Sequence, residues 1–264
     1  MGASWYKDYA NPSYEWKYRA VITVDVGSST GSRDAQITIP QDWDLFWENI
    51  RSAGEDLRVT SADGTTLVTF DLAAGFSTTT RTGVIEIDNY TVPGTGSRVY
   101  VLYVYWGQAS CSSGLTSFSP STPDTGYIAL EQPYGRLITS RPQRPGDTVL
   151  RDRVAKRVDE DVFVWFRLTD LLHARRSKFS NRLAYEGVAT VTWDVQTGGA
   201  SQAGMFSVPS IRVVETSDGD LWARCTVDDG TDDTDYTVYV TVGTTLGQVL
   251  QGAGILQVRN AAEA

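Results

Sequence analysis

Polar and apolar positions alternate along most of this chain. The first clear run is Tyr18-Arg19-Ala20-Val21-Ile22-Thr23-Val24-Asp25-Val26, halted by Gly27-Ser28-Ser29, and a period of two is that of a strand with one face turned to a core. The same reading predicts strands over Ala35 to Ile39, Leu57 to Ser61, Thr66 to Asp71, Val84 to Asp88 and Val99 to Trp106. Turn formers such as Asp63-Gly64 and Pro93-Gly94-Thr95-Gly96 separate them. One interval breaks the rhythm. Between Asp42 and Ser52, the residues Trp43, Phe46, Trp47 and Ile50 recur at helical spacing, after Pro40-Gln41-Asp42 and before Gly54. A short amphipathic helix is predicted there, its aromatic stripe packed on a sheet.

Beyond Gly107 the pattern lapses into Ser, Thr, Pro and Gly, as in Ser110-Cys111-Ser112-Ser113-Gly114 and Ser119-Pro120-Ser121-Thr122-Pro123. Alternation resumes with Val162-Phe163-Val164-Trp165-Phe166-Arg167-Leu168, then Gly187 to Val195, Ile211 to Glu215, Leu221 to Val227, Tyr236 to Val242 and Ile255 to Val258. Asp218-Gly219 marks a hairpin, and Leu168 to Arg176 a helical turn or loop carrying His173. The expected fold class is all-β, with two β-sandwich domains of jelly-roll or immunoglobulin-like type joined by a Ser-, Pro-, Gly- and Arg-rich connector. The expected boundaries are an aromatic N-terminal arm over 1–15, a sandwich over 16–114, the connector over 115–157 and a second sandwich over 158–264.

A chain of 264 residues is long enough for two such cores, and 41% hydrophobic with 21% charged residues is an ordinary globular balance. The formal net charge of -9 repels a phosphate backbone, so no nucleic-acid partner is expected. The one basic island runs from Arg136 to Arg157. Its Arg141, Arg144, Arg151 and Arg153, broken by Pro142, Pro145 and Gly146, read as a docking strip for an acidic protein partner. No segment reaches the roughly 18 to 20 apolar residues that cross a bilayer, so no membrane partner is expected. Met1 to Tyr18 has no apolar core of the signal-peptide kind.

Catalytic chemistry finds few carriers. Cys111 and Cys225 are far apart and expected as free thiols, and His173, the one histidine, sits in a basic stretch with Arg175 and Arg176. Gly198-Gly199 and Gly252-Ala253-Gly254 lack the lysine of a phosphate-cradling loop. Glu86 and Asp88, two apart on a strand, share a face and could serve glycoside hydrolysis, in partial likeness to the Glu-x-Asp-x-Glu strand of sandwich-fold endoglucanases. Tyr90 and Thr91 break that likeness where the last glutamate should stand, and an exposed strand face is the plainer reading. The acidic run Asp228 to Asp235 offers oxygens for calcium but reads first as a solvated loop tip. No enzyme, cofactor or metal site is expected.

Residues 16–114 resemble a small bacterial and phage β-sandwich module of unknown function, found beside glycan-active domains and in envelope or virion proteins. The likeness rests on Trp16-Lys17-Tyr18-Arg19 leading into Ile22-Thr23-Val24, on Glu55-Asp56-Leu57-Arg58-Val59-Thr60 followed by Asp63-Gly64, and on Val101-Leu102-Tyr103-Val104-Tyr105-Trp106-Gly107. The module usually closes on Tyr-Gly-Asn, where this chain has Trp106-Gly107-Gln108. The whole chain resembles decoration, head-fibre or minor tail proteins of tailed phages. That resemblance implies a non-enzymatic virion structural protein, localised to the virus particle. Its partners would be a major capsid or tail protein and further copies of itself in a homo-oligomer. Trp5, Tyr6, Tyr9 and Tyr14 are the candidate anchors, with an arm folded over its own sandwich as the competing reading. Eight Trp and thirteen Tyr keep a glycan as a possible partner, in a carbohydrate-binding adhesin.

Overall fold

The computed structural model describes residues 6–8, 11, 13–92, 98–131, 133, 136–138, 153–173, 187–205, 211–217 and 219–259. The chain is mostly β, with 51% in strands and almost no helix. It divides into two compact units, one over residues 3–130 and the other over residues 131–264.

The first unit is built from β1 (Tyr18–Gly27), β2 (Gly31–Thr38), α1 (Asp44–Trp47), β3 (Arg58–Ser61), β4 (Phe70–Leu72), β5 (Val84–Val92), β6 (Arg98–Trp106) and β7 (Asp124–Ile128). Hydrogen-bonded neighbours run β4-β5-β2-β7-β1-β6, with β3 on β6. The segment ahead of β4 then returns to β3: Ser61 N–H donates to Thr66 O at 2.8 Å and Val68 N–H to Val59 O at 2.9 Å. The ladder therefore closes on itself, and pairing every edge removes the exposed strand that would otherwise template aggregation. Ile22, Val24, Val59, Leu102 and Val104 lie on one face of their register, with Ile37, Ile85 and Ile87 across from them, all buried.

The aromatic stripe of the predicted helix is core. Trp43 and Phe46 stack at 4.8 Å, Trp43 meets Trp106 edge-on at 4.8 Å, and Phe46, Trp47 and Ile50 are buried with them. The helix is shorter than its sequence pattern because Arg51 N–H donates to Asp56 Oδ1 at 3.0 Å rather than continuing the helical ladder. Asp56 has no exposure at all. Its Oδ2 accepts from Gly107 N–H at 2.8 Å, and its carbonyl accepts from Trp16 Nε1 at 2.8 Å. Beside it the buried Arg58 donates to the carbonyls of Glu55 at 3.0 Å and of Leu57 and Ser112 at 2.6 Å, and its guanidinium lies 5.2 Å over the Trp16 ring. The segments around Trp16, Asp56 to Arg58 and Gly107 thus meet at one knot.

The stretch expected as a bare connector, 115–157, contributes strands. Strand β7 inserts between β1 and β2, antiparallel to the first and parallel to the second. Gly126 permits this, since a Cβ there would fall 2.4 Å from Ile37. Asp124 fastens it: Arg33 donates through Nε at 2.8 Å and through Nη2, and the Tyr90 hydroxyl donates at 2.6 Å.

The second unit holds β8 (Arg136–Ile138), β9 (Arg153–Lys156), β10 (Val162–Arg167), α2 (Leu168–His173), β11 (Val188–Thr197), β12 (Ala200–Ser201), β13 (Arg212–Glu215), β14 (Leu221–Val227), β15 (Thr234–Thr244) and β16 (Val249–Val258). One sheet runs β12-β11-β15-β16-β9 and a second β13-β14-β10-β8. Phe166 joins them: its ring meets Trp193 of β11 edge-on at 6.0 Å and occupies the space over Gly252 of β16, where a Cβ would fall 2.5 Å away. Val162, Val164, Ala223 and Cys225 face inward beside it, all buried.

Burial, then the bond to the Asp124 carboxylate, holds the Tyr90 phenol above its ordinary value of 10.0, and burial does the same for Tyr100, stacked 5.4 Å away. The unfolded chain loses these protons first, so this contribution is fully present below about pH 10 and drains as pH rises further. Urea unfolding across the alkaline range should show stability falling above that point, with a shallower fall in Tyr90→Phe.

Candidate functional site

Three of the candidate docking residues can be placed. Tyr6 is 8% exposed, edge-on to Trp16 at 4.9 Å and 6.2 Å from Tyr105. Burial raises its phenol pKa, and the Arg58 side chain hydrogen-bonds it. It packs on its own unit and leaves little ring for another protein, the competing reading of the arm. Tyr14 is half-buried, 6.3 Å from Trp16. Arg153 stands on β9 with its side chain 53% exposed, 3.9 Å from Asp235. Trp5, Tyr9, Arg141, Arg144 and Arg151 lie outside the described residues.

The other chemistry-bearing residues are engaged locally. Glu86 accepts from Gln36 Nε2 at 2.8 Å on the half-exposed face it shares with Asp88. Cys111 and Cys225 are free and buried, and burial pushes both thiols up. The backbone of His173 ends α2. In the acidic run, Asp235 accepts from Arg259 Nη2 at 2.5 Å and Asp233 lies 3.6 Å from the same guanidinium. Buried Lys156 donates to the carbonyls of Arg157 at 3.0 Å, Val158 at 3.3 Å and Asp229, so an ammonium already takes one carbonyl that a cation would need. No cluster of His, Cys, Asp or Glu among the described residues is arranged to hold a metal ion.

The strongest surface is the outward face of the smaller sheet. Because Val162, Val164 and Phe166 turn inward, Phe163, Trp165 and Arg167 turn outward, opposite Thr226, Arg224 and Trp222 of β14. Arg212 and Val214 of β13 extend the rows beside Arg224 and Trp222. Trp165 and Val214 are sealed, whereas Phe163 is 44% exposed. The Arg224 guanidinium lies 4.2 Å over the Phe163 ring and pairs with Glu131; that of Arg167 lies 6.0 Å over Trp222 and pairs with Asp220. Arg212 stands directly opposite Arg224.

This face was not among the residues picked from sequence, although a signal for it exists. In β10 and β14 five of the six positions that alternate with the inward residues, all but Thr226, are aromatic or Arg, where a plainly solvated face would carry mostly Thr, Lys or Glu. No protein family and no curated protein sequence matches this chain.

Tyr6→Ala tests whether the arm is an internal strap. Truncating a buried ring costs roughly 3 kcal/mol at a well-packed site, less at the margin of a core. Denaturant unfolding should show the first unit losing about 2 kcal/mol, with the molar mass in light scattering unchanged. A lost oligomer with unchanged stability would make Tyr6 an intermolecular anchor instead.

Proposed function

We propose that this chain is a non-enzymatic structural component of a virus particle, of the decoration or tail-associated kind found in tailed phages, which works by docking on other virion proteins through its second β-sandwich. The observation that carries the docking is the outward face of the β13-β14-β10 sheet, where Phe163 and Trp222 stand among Arg167, Arg212 and Arg224. Aromatic residues and arginine are the residue types that concentrate binding energy at protein interfaces. In a chain of net charge -9, a face on which the guanidiniums of Arg167 and Arg224 lie over aromatic rings is suited to an acidic protein surface. The virion setting rests on the resemblance read in residues 16–114 and on the two-sandwich layout expected from the sequence.

The same geometry weighs between protein and glycan. A sugar stacks on a bare ring face, and here Arg224 already covers Phe163 and Arg167 approaches Trp222. A glycan would have to displace a guanidinium held by a carboxylate. An acidic protein surface would add to those guanidiniums.

The test is co-sedimentation of the purified chain with virus particles from a lysate in which it is made. Binding in fixed stoichiometry is expected. Phe163→Ala with Trp222→Ala should weaken it by about 2 kcal/mol per anchor, roughly thirty-fold each, with folding intact by circular dichroism. Unchanged binding by the double variant would remove this face from the interface. Absence from particles, together with tryptophan quenching by a glycan panel, would favour the adhesin.

A further inference from the structure

The two carboxylates on the docking face are held in different ways. Asp220 sits in the β13–β14 connection, its side chain 15% exposed, where Thr216 N–H donates to Asp220 O at 2.9 Å, Gly219 N–H to Thr216 O at 2.8 Å and Leu221 N–H to Thr169 Oγ1 at 2.8 Å. Its place beside Arg167 is set by the backbone around it. Glu131 reaches Arg224 from 93 residues away in the chain. It lies outside any strand or helix, three residues past the end of β7, and no turn or loop hydrogen bond among the described residues holds residues 129–131. Its side chain is 34% exposed.

Arg224 gives Glu131 a single bond, from Nε to Oε1 at 2.5 Å, and its two terminal nitrogens have no hydrogen-bond partner among the described residues. A guanidinium carries five N–H donors in a planar fork, so most of its capacity is still open. The same guanidinium lies 4.2 Å over the ring of Phe163, which is 44% exposed. What Arg224 binds within its own chain shows the chemistry that this corner of the face accepts: a carboxylate, beside a ring that an apolar side chain can cover. The chain supplies both groups in sequence, since Leu130, next to Glu131, is 38% exposed.

We infer that the corner formed by Arg224 and Phe163 is a carboxylate-binding site for an acidic side chain of the docked protein, and that Glu131 occupies it in the free chain as a displaceable stand-in. It rests on the docking reading above and adds to it the ligand of one corner and its regulation. An exposed ion pair is weak, because water and mobile ions screen it and two long side chains must be ordered to make it. Glu131 offers Arg224 that pair alone. An incoming carboxylate with an apolar neighbour also buries the exposed part of Phe163, so it gains where Glu131 does not, and Glu131 yields. Until then its negative charge stands where an acidic surface arrives. Surfaces that bring charge without the apolar contact are therefore disfavoured, a repulsive element that sharpens the choice of partner.

The experiment is co-sedimentation of the full chain with virus particles, titrated to an affinity. Glu131→Gln keeps an oxygen acceptor for Arg224 Nε and removes the charge. It should tighten attachment roughly two- to five-fold, and a gain in affinity cannot come from damage to the fold. Arg224→Lys, which keeps the positive charge and loses the planar fork, should weaken attachment about ten-fold. On that background Glu131→Gln should lose most of its gain, because the two side chains act through one contact. A native chain that binds while Glu131→Gln binds no tighter, or more weakly, overturns the stand-in and leaves the docking face in place. An equal gain with and without Arg224 overturns the site, since it assigns the effect to net charge alone. If neither the native chain nor Glu131→Gln sediments with particles, the docking reading falls and this site falls with it.

Discussion

A carboxylate with no access to water must find its hydrogen bonds inside the protein, and the first unit is arranged around one such group. Asp56 accepts from the backbone just beyond α1 and at the end of β6, so the same side chain stops the helix and fixes where β6 turns away. Its carbonyl holds Trp16, Trp16 receives the Arg58 guanidinium on its face, and Tyr6 closes over Trp16. Each contact covers the one before it from solvent. A buried group stripped of its partners costs about 1–3 kcal/mol, more when charged, so the knot resists piecemeal change, and Trp16, Glu55 to Arg58 and Trp106-Gly107 make sense as one set.

The second unit is governed by close approach instead. Phe166 lies where the Gly252 side chain would be, which brings the two sheets together at that point and directs Val162 and Val164 inward with it. Strand alternation then turns Phe163, Trp165 and Arg167 to the opposite face of the sheet, where Trp165 is itself covered. The outward aromatic–arginine face is in this sense a consequence of the inner packing, refined by Glu131 and Asp220, which hold the guanidiniums over the rings.

Much of this was legible in the sequence, because period-two burial leaves a direct trace. The runs read as strands around Ile22, Ile37, Val101, Val164, Val191 and Val240 all lie in strands, and the aromatic stripe from Trp43 to Ile50 is core. Strand β7 was not legible, since Asp124-Thr125-Gly126 has the composition of a turn. Its glycine answers to Ile37 and its aspartate to Arg33 and Tyr90, partners far away in sequence. The first half of β16 was hidden for a like reason: Gly252-Ala253-Gly254 reads as a breaker until Phe166 is placed above it. Tyr6 shows the converse, because an aromatic arm looks like an unpartnered anchor until its partner, Trp16, is seen ten residues on.

The two sheets of the second unit differ in how they handle charge at their outward positions. On the smaller sheet, guanidiniums are fixed over aromatic rings by carboxylates, so their direction is set before any encounter and little side-chain entropy remains to be lost on binding. Such a face discriminates strongly by sign and favours an acidic surface unlike itself. On the larger sheet the outward charges are engaged within the unit: Asp194 accepts from Gln196 and Ser201, and Arg153 lies 3.9 Å from Asp235 of β15.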